Sequence, residues 1–175
     1  MTLANKITVL RIIAIPFFVI ALTEQYLRAA QILFVLSVLS DALDGAIARF
    51  RGERTPLGTF LDPLADKLLL LAAFSTLTYL GRLPLWVFVA VLSRDILILM
   101  GWSLVYVLTD NRKIEPRPLG KVTTFVQMLF IIATLFPITP PLAYSWLLRL
   151  MTALTVLSAL DYVWIGNQRL GMIEP

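Results

Sequence analysis

The chain has 175 residues, of which 59% are hydrophobic, and its mean hydropathy is +0.85. A soluble domain of this length is far less apolar, so the composition excludes a soluble enzyme and predicts a multi-spanning helical membrane protein. The formal net charge of +4 does not indicate a nucleic-acid partner, because basic residues in a membrane protein set topology and meet lipid phosphates. The chain has no cysteine, which excludes disulfides.

Six apolar runs predict six transmembrane helices, since a spanning helix needs about 20 apolar residues. The runs cover residues 7–22, 27–49, 60–80, 85–108, 119–136 and 142–165. They leave no room for a separate soluble domain, and the sequence shows no internal repeat. We therefore expect one all-α membrane domain over residues 1–175. The first run lacks a small-residue cleavage site, so we expect no cleavable signal peptide.

The first predicted helix contains two residues that are unusual in an apolar segment. Pro16 predicts a kink. Arg11 lies one turn inside the predicted helix, where a long basic side chain either reaches back to the membrane interface or faces a polar cavity. The sequence leaves both alternatives open.

The second and third predicted helices carry four aspartates in otherwise apolar sequence: Asp41, Asp44, Asp62 and Asp66. A carboxylate inside a membrane helix costs about 2.5–3.5 kcal/mol on insertion scales, so four of them need a compensating partner. Asp41 and Asp44 are three residues apart and Asp62 and Asp66 are four apart. Each pair therefore lies on one face of its helix.

The segment between the two aspartate pairs predicts a turn over residues 51–58, because Gly52, Pro56 and Gly58 disfavour a helix. Helices joined by a short turn are antiparallel neighbours, so the four carboxylates are expected to converge. With no cysteine and no histidine in the chain, an all-oxygen site suits Mg²⁺, Mn²⁺ or Ca²⁺ and argues against zinc and copper. Pro63 is expected in or near the first turn of the third helix, where it is tolerated.

The fourth helix contains Arg94 followed by Asp95, deep in apolar sequence. One interpretation is an internal ion pair that stabilises helix packing. The other is a polar cavity in which the bidentate guanidinium of Arg94 binds a phosphate. The sequence alone does not decide between them.

The start of the fifth helix predicts an anion site. Lys121 lies in the first turn, where amide donors and the helix dipole favour anions. Thr123 and Thr124 add hydroxyl groups, and Gln127 follows six residues after Lys121. Arg117, in the preceding basic loop, is a weaker candidate for the same site.

The distribution of lysine and arginine predicts the topology. One side of the membrane carries Lys6, Arg49, Arg51, Arg54, Arg112, Lys113, Arg117, Lys121 and Arg169, and the other carries Arg28, Arg82 and Arg149. The positive-inside rule then places both termini and the aspartate turn at the cytoplasmic face. Phosphorylated soluble substrates are found on that side.

The aspartates belong to a longer pattern, D-x-x-D-G-x-x-A-R, eight residues, G-x-x-x-D-x-x-x-D, which resembles the signature of the CDP-alcohol phosphatidyltransferases. Every fixed position is filled: Asp41, Asp44, Gly45, Ala48, Arg49, Gly58, Asp62 and Asp66. The resemblance implies a six-helix bundle that forms a homodimer. It also implies that the first three aspartates hold metal, that the fourth serves both metal and base, and that the products are a phospholipid and CMP.

Charge balance and the resemblance together suggest the chemistry. Two divalent ions, Mg²⁺ or Mn²⁺, would neutralise four carboxylates and clamp the diphosphate of CDP-diacylglycerol. Gly45 and Gly58 would let the nucleotide approach the backbone, and Arg49 would pair with a phosphate or with the aspartates. Asp41 and Asp62 would contact the same substrate through the metals. Asp66, the last carboxylate and the one deeper along its helix, is the candidate general base.

A looser resemblance concerns the acceptor. The stretches NKITVLRIIAIPFF, LDPLADKLL and LGKVTT are similar to bacterial phosphatidylglycerophosphate synthases, which use glycerol 3-phosphate at the inner membrane. In that reading Arg94, Lys121 and Arg117 bind the acceptor phosphate. The fourth helix lacks the second Arg-Glu-like pair usual in that subgroup. The SRDILIL and PRPLGKVTTFVQ stretches also resemble CMP-forming cardiolipin synthases, whose acceptor is phosphatidylglycerol.

Two further alternatives remain at this stage. Another acceptor alcohol, such as an inositol phosphate, would use the same chemistry. A proton or divalent-cation transporter would also place acids in the membrane, but such sites lie near the midplane, often within repeated architectures. The fixed glycines and Arg49 have no role in simple ion passage.

Overall fold

The computed structural model describes the backbone of residues 3–51, 56–109, 118–136 and 140–171, and side chains within 7–40, 61–101, 118–136 and 140–165. Over these residues the chain forms six α-helices and no strand. The helices are α1 (Leu3–Thr23), α2 (Leu27–Arg51), α3 (Pro56–Tyr79), α4 (Leu85–Thr109), α5 (Pro118–Leu135) and α6 (Pro141–Gly171). The all-helical class and the six helical segments expected from the sequence are confirmed.

Three helices begin at a proline: α3 at Pro56, α5 at Pro118 and α6 at Pro141. Proline suits the first helical position because its missing amide donor would be unpaired there and its φ angle is already helical. The predicted turn over residues 51–58 is therefore wrong in its extent. Pro56 and Gly58 lie in the first turn of α3, and α2 continues to Arg51.

The early start of α3 places the aspartates further from the beginning of the helix than the predicted start at residue 60 does. Counted from Pro56, Asp62 is the seventh residue and Pro63 the eighth. The expectation that Pro63 lies in or near the first turn is thus wrong. Pro63 occupies the helix interior, where it removes one backbone hydrogen bond, and its side chain is exposed.

The chain divides into two compact units, Met1–Leu83 with Ile131–Ile138, and Pro84–Phe130 with Thr139–Pro175. In the first unit α1 packs against both α2 and α3. The rings of Phe18 on α1 and Phe34 on α2 lie with centroids 5.6 Å apart. The buried positions follow helical spacing on α1 (Thr8, Arg11, Phe18, Leu22) and on α3 (Ala65, Leu69, Ala73, Leu77). One end of the buried α1 face is therefore polar and the other apolar.

In the second unit α4 packs against α6. Its buried apolar side chains include Val87, Val91, Phe130 and Met151. Buried polar side chains accompany them: Arg94, Thr123, Gln127, Thr155 and Ser158. An unpaired polar group is costly in such an interior, so we expect these side chains to form hydrogen bonds with one another or with the backbone.

Large apolar side chains also cover much of the outer surface, among them Leu10, Phe17, Trp146 and Trp164. Within the described residues, Pro118–Leu135 and Pro141–Ile165 are long and apolar enough to cross a membrane, and Ile7–Thr23 and Leu27–Ser40 are shorter apolar segments. The length and apolar composition of these helices support the interpretation that the chain is a membrane protein.

Candidate active site

The α1–α3 interface joins two pairs of polar side chains. The Thr8 hydroxyl donates to Oδ1 of Asp62 at 2.6 Å. One turn further along both helices, Nη1 of Arg11 donates to Oδ1 of Asp66 at 3.0 Å. Thr8 is 0% exposed and Arg11 2%. The alternative of a buried polar environment for Arg11 is therefore the one observed, since the side chain is enclosed and ion-paired rather than extended to an interface.

Asp62 and Asp66 present their carboxylates to the same face of α1. Their spacing of four residues places them one above the other on α3, as the sequence predicts. The residue numbers rise together along the two helices, so α1 and α3 run in the same direction here. The contacts thus align one turn of α1 with one turn of α3.

The other predicted ligands lie on α2. The backbone of Asp41, Asp44, Gly45 and Arg49 is helical, near the end of α2, and their side chains lie outside the described residues. The convergence of four aspartates and the metal site therefore stay predictions. Among the side chains that the structure describes, no three metal-ligating groups gather.

The described part of the predicted metal site fits a hard divalent cation. Asp62 and Asp66 supply only carboxylate oxygens, the ligands that Mg²⁺ and Mn²⁺ prefer. Each carboxylate has two oxygens and about four lone-pair sites, so a carboxylate that accepts hydrogen bonds can also bind a metal. The donor set agrees with the hard-cation prediction from the sequence.

Arg94 is held by a network within the second unit. Its Nη1 donates to Oδ1 of Asp95 at 2.6 Å, and its Nε donates to the hydroxyl of Ser158 at 3.3 Å. Its Nη2 donates to the carbonyl of Gly120 and to Ser158, each at 3.3 Å. Arg94 is only 4% exposed. The internal ion pair considered from the sequence is present, and these hydrogen bonds use four of the five N–H donors of the guanidinium.

Gly120 of α5 lies close to side chains of α4 and α6. A Cβ atom at this position would lie 3.2 Å from the Tyr162 hydroxyl and 3.4 Å from Nη2 of Arg94. Glycine therefore admits both the guanidinium and the phenol. Ser158 is not evident as a partner of Arg94 from the sequence, because no fixed spacing links the two residues.

The residues predicted around Lys121 separate into two groups. Lys121 is exposed, in the first turn of α5. The hydroxyls of Thr123 and Thr124 donate to backbone carbonyls four residues earlier, at 2.8 and 3.0 Å. Gln127 is 0% exposed, and its Nε2 donates to Thr155 at 3.1 Å. Lys121 thus faces solvent while Gln127 belongs to the interior. Arg117 lies outside the described residues.

The sequence of the chain matches a known protein family. The family model of the CDP-alcohol phosphatidyltransferases matches residues 1–160. The chain belongs to this family. The matched residues include α1 and α3 in full, so the phosphatidyltransferase match covers Thr8 and Arg11 as well as the aspartate signature.

Individual relatives agree with this assignment. A probable phosphatidylglycerophosphate synthase of Mycobacterium tuberculosis is 35% identical over 181 residues, covering 98% of this chain and 85% of the relative. A CDP-diacylglycerol–glycerol-3-phosphate 3-phosphatidyltransferase of Bacillus subtilis is 34% identical, covering 76% of each chain. A human CMP-forming cardiolipin synthase is 28% identical over 99% of this chain and 64% of the relative. This phosphatidyltransferase is thus similar to enzymes named for two different products, phosphatidylglycerophosphate and cardiolipin.

Proposed function

We propose that the protein transfers the phosphatidyl group of CDP-diacylglycerol to glycerol 3-phosphate, forming phosphatidylglycerophosphate and CMP. The observation that carries this proposal is the aspartate pair of α3, held by Thr8 and Arg11 within a chain that the phosphatidyltransferase family matches over most of its length. The similarity to enzymes named for glycerol 3-phosphate favours this acceptor.

The reaction proceeds by attack of the acceptor hydroxyl on the phosphorus that carries the diacylglycerol. A new bond forms between that oxygen and phosphorus, and the bond from the same phosphorus to CMP breaks. Asp66 accepts the hydroxyl proton, a contribution typically worth about 10²–10⁴ in rate. Arg11, at 3.0 Å, fixes the orientation of the Asp66 carboxylate and balances its charge.

Two divalent ions, Mg²⁺ or Mn²⁺, would neutralise the negative charge of the diphosphate and of the departing CMP. Asp41, Asp44, Asp62 and Asp66 would hold them. Gly45, Gly58 and Arg49 would admit and bind the CDP moiety.

For the acceptor phosphate, the exposed Lys121 is the most direct ligand, with Arg117 beside it in sequence. Arg94 already donates to Asp95, Ser158 and Gly120. Its proposed contact with the acceptor phosphate therefore involves a buried guanidinium that is already largely occupied, whereas Lys121 is exposed.

The membrane arrangement is part of the same proposal. We place all six helices across a bacterial-type inner membrane as a single domain over residues 1–175, with the active site at the cytoplasmic face and a second copy forming a homodimer. The apolar outer surface and the excess of lysine and arginine in one set of loops support this placement.

A second function has specific support. The similarity to a human CMP-forming cardiolipin synthase extends over 99% of this chain, and the SRDILIL stretch of α4 points the same way. Phosphatidylglycerol would then be the acceptor in otherwise identical chemistry.

The experiment that separates the two functions follows CMP release by purified protein from CDP-diacylglycerol and Mg²⁺ or Mn²⁺. Glycerol 3-phosphate and phosphatidylglycerol are supplied in separate reactions. Release with glycerol 3-phosphate supports the proposal, release with phosphatidylglycerol alone supports a cardiolipin synthase, and no release with either acceptor contradicts both.

A further inference from the structure

The polar end of α1 has a second role. We propose that Thr8 and Arg11 are positioning residues that fix the orientation of the Asp62 and Asp66 carboxylates for metal binding. This proposal rests on the proposed function. Both residues lie at least 30 positions before the aspartate signature in the chain. They reach the signature through the packing of α1 against α3.

Thr8 bonds to a side chain of another helix, which the contacts of Thr123, Thr124 and Thr155 to their own helices do not do. Thr123, Thr124 and Thr155 donate to the carbonyl four residues earlier in their own helices, the usual partner of a hydroxyl in an apolar helix. Thr8 reaches Asp62, 54 residues away in sequence, at 2.6 Å. A hydrogen bond to a charged carboxylate is shorter and stronger than a neutral one, so this contact restricts the rotation of Asp62.

Arg11 makes the second contact one turn away. At a rise of about 1.5 Å per residue, Thr8 and Arg11 are separated by about 4.5 Å along α1, and Asp62 and Asp66 by about 6 Å along α3. The two contacts have similar spacings along α1 and α3. Together they restrict both the rotation of α3 and its sliding along α1. A single contact would leave one of these two degrees of freedom open.

The expected effect is a change in metal affinity. Loss of a hydrogen bond that orients a metal ligand typically weakens binding or activity about 10–100-fold. Thr8→Val removes the hydroxyl with nearly the same shape, and Thr8→Ser keeps the hydroxyl. The matched control is Thr76→Val, because Thr76 is a buried threonine of α3 in the same unit, ten residues beyond Asp66.

The measurement is the Mn²⁺ dissociation constant of the full-length protein in detergent without substrate, from the electron paramagnetic resonance signal of free Mn²⁺. Each variant is first shown to be folded by its elution volume and circular dichroism. We expect Thr8→Val to raise the constant at least about 10-fold, while Thr8→Ser and Thr76→Val stay within about threefold of wild type. An unchanged constant in Thr8→Val overturns the role of Thr8.

Substitution of Arg11 tests the direction in which the Mn²⁺ affinity changes. Its positive charge repels a nearby cation, so a purely electrostatic role predicts tighter Mn²⁺ binding when the charge is removed. Positioning predicts weaker binding. We expect Arg11→Met to bind Mn²⁺ more weakly, and tighter or unchanged binding overturns the role of Arg11. If Arg11→Met does not fold, Arg11→Lys replaces it, because lysine keeps the charge but loses the planar fork; a wild-type constant then overturns the role.

The titration contains no CDP-diacylglycerol, so its outcome is separable from that of the proposed function. Wild type that binds Mn²⁺ but releases no CMP would contradict the transferase proposal and leave the effect of Thr8→Val readable. Wild type that releases CMP while Thr8→Val keeps its Mn²⁺ affinity would contradict only the positioning proposal. Wild type that binds no Mn²⁺ overturns the positioning proposal directly.

Discussion

Asp66→Asn separates a catalytic role for Asp66 from a structural one, because the chain contains a matched second site. Asp66 pairs with Arg11 at 3.0 Å and Asp95 pairs with Arg94 at 2.6 Å. The two arginine side chains are 1% and 5% exposed, and the two aspartate side chains 23% and 19%. The same substitution at both sites therefore removes a similar charge from a similar environment.

The expected structural cost is small at both sites. Asparagine keeps an oxygen that accepts from the arginine, so the change replaces a charged hydrogen bond, worth about 1.5–3 kcal/mol, by a neutral one of about 0.5–1.5 kcal/mol. The difference is about 1 kcal/mol, which lowers the melting temperature of a chain of this size by about 2–4 °C. Against a typical stability of about 5–15 kcal/mol, nearly all of the protein stays folded.

The expected catalytic cost is much larger at Asp66. Loss of a general base lowers kcat about 10²–10⁴-fold, equivalent to about 2.7–5.4 kcal/mol. We expect Asp66→Asn to lose turnover to this extent while it still binds CDP-diacylglycerol. Asp95→Asn should show a similar fall in melting temperature and keep kcat within about threefold of wild type.

The assay is CMP release at saturating CDP-diacylglycerol, metal and glycerol 3-phosphate, with the melting temperature measured on the same preparations. A kcat for Asp66→Asn within tenfold of wild type would refute the base assignment. An equal loss of kcat in Asp95→Asn would show that breaking either ion pair, rather than removing the base, accounts for the effect.

Three further predictions follow from the same reasoning. Loss of a proposed metal ligand should leave less than about a tenth of wild-type activity, and more than that in any one variant would remove that residue from the metal site; the variants are Asp41→Ala, Asp44→Ala and Asp62→Ala. Lys121→Ala should raise the KM for glycerol 3-phosphate about 10-fold or more with little change in the KM for CDP-diacylglycerol, since loss of one charged contact costs about 1.5–3 kcal/mol; an unchanged acceptor KM would return Lys121 to a topological role. Because the chain has no cysteine, Glu53→Cys and Glu24→Cys can each be labelled specifically. In intact cells a membrane-impermeant maleimide should label Cys at position 24 and not at 53, and the reverse pattern would contradict the proposed orientation.

The helices were predictable because long apolar runs leave few alternatives. The errors concern proline and glycine. Pro56 and Gly58 were interpreted as turn residues, but a proline is equally suited to the first position of a helix, and only the backbone shows which applies. The consequence is that Asp62, expected in the first turn of a helix beginning at residue 60, is the seventh residue of α3.

Only part of the candidate site could be predicted from the sequence. Aspartates at fixed spacing in apolar sequence stand out because charged residues are rare there. Thr8 does not stand out, because threonine is ordinary in an apolar helix and usually bonds to its own backbone. Arg11 was noticeable, but its partner depended on which face of α1 meets α3, which a single apolar run does not determine. The pair Thr8 and Arg11, three residues apart, is the signal that could have suggested a common polar face.

The central claim is that this phosphatidyltransferase uses glycerol 3-phosphate as its acceptor, and transfer of radiolabel tests it most directly. Purified protein is given CDP-diacylglycerol, Mg²⁺ or Mn²⁺ and radiolabelled glycerol 3-phosphate, with Asp62→Ala as the inactive control. The account predicts label in the chloroform-soluble product in amounts equal to the CMP released, and none with Asp62→Ala. CMP released without label in lipid, or released only when phosphatidylglycerol is added, would contradict it.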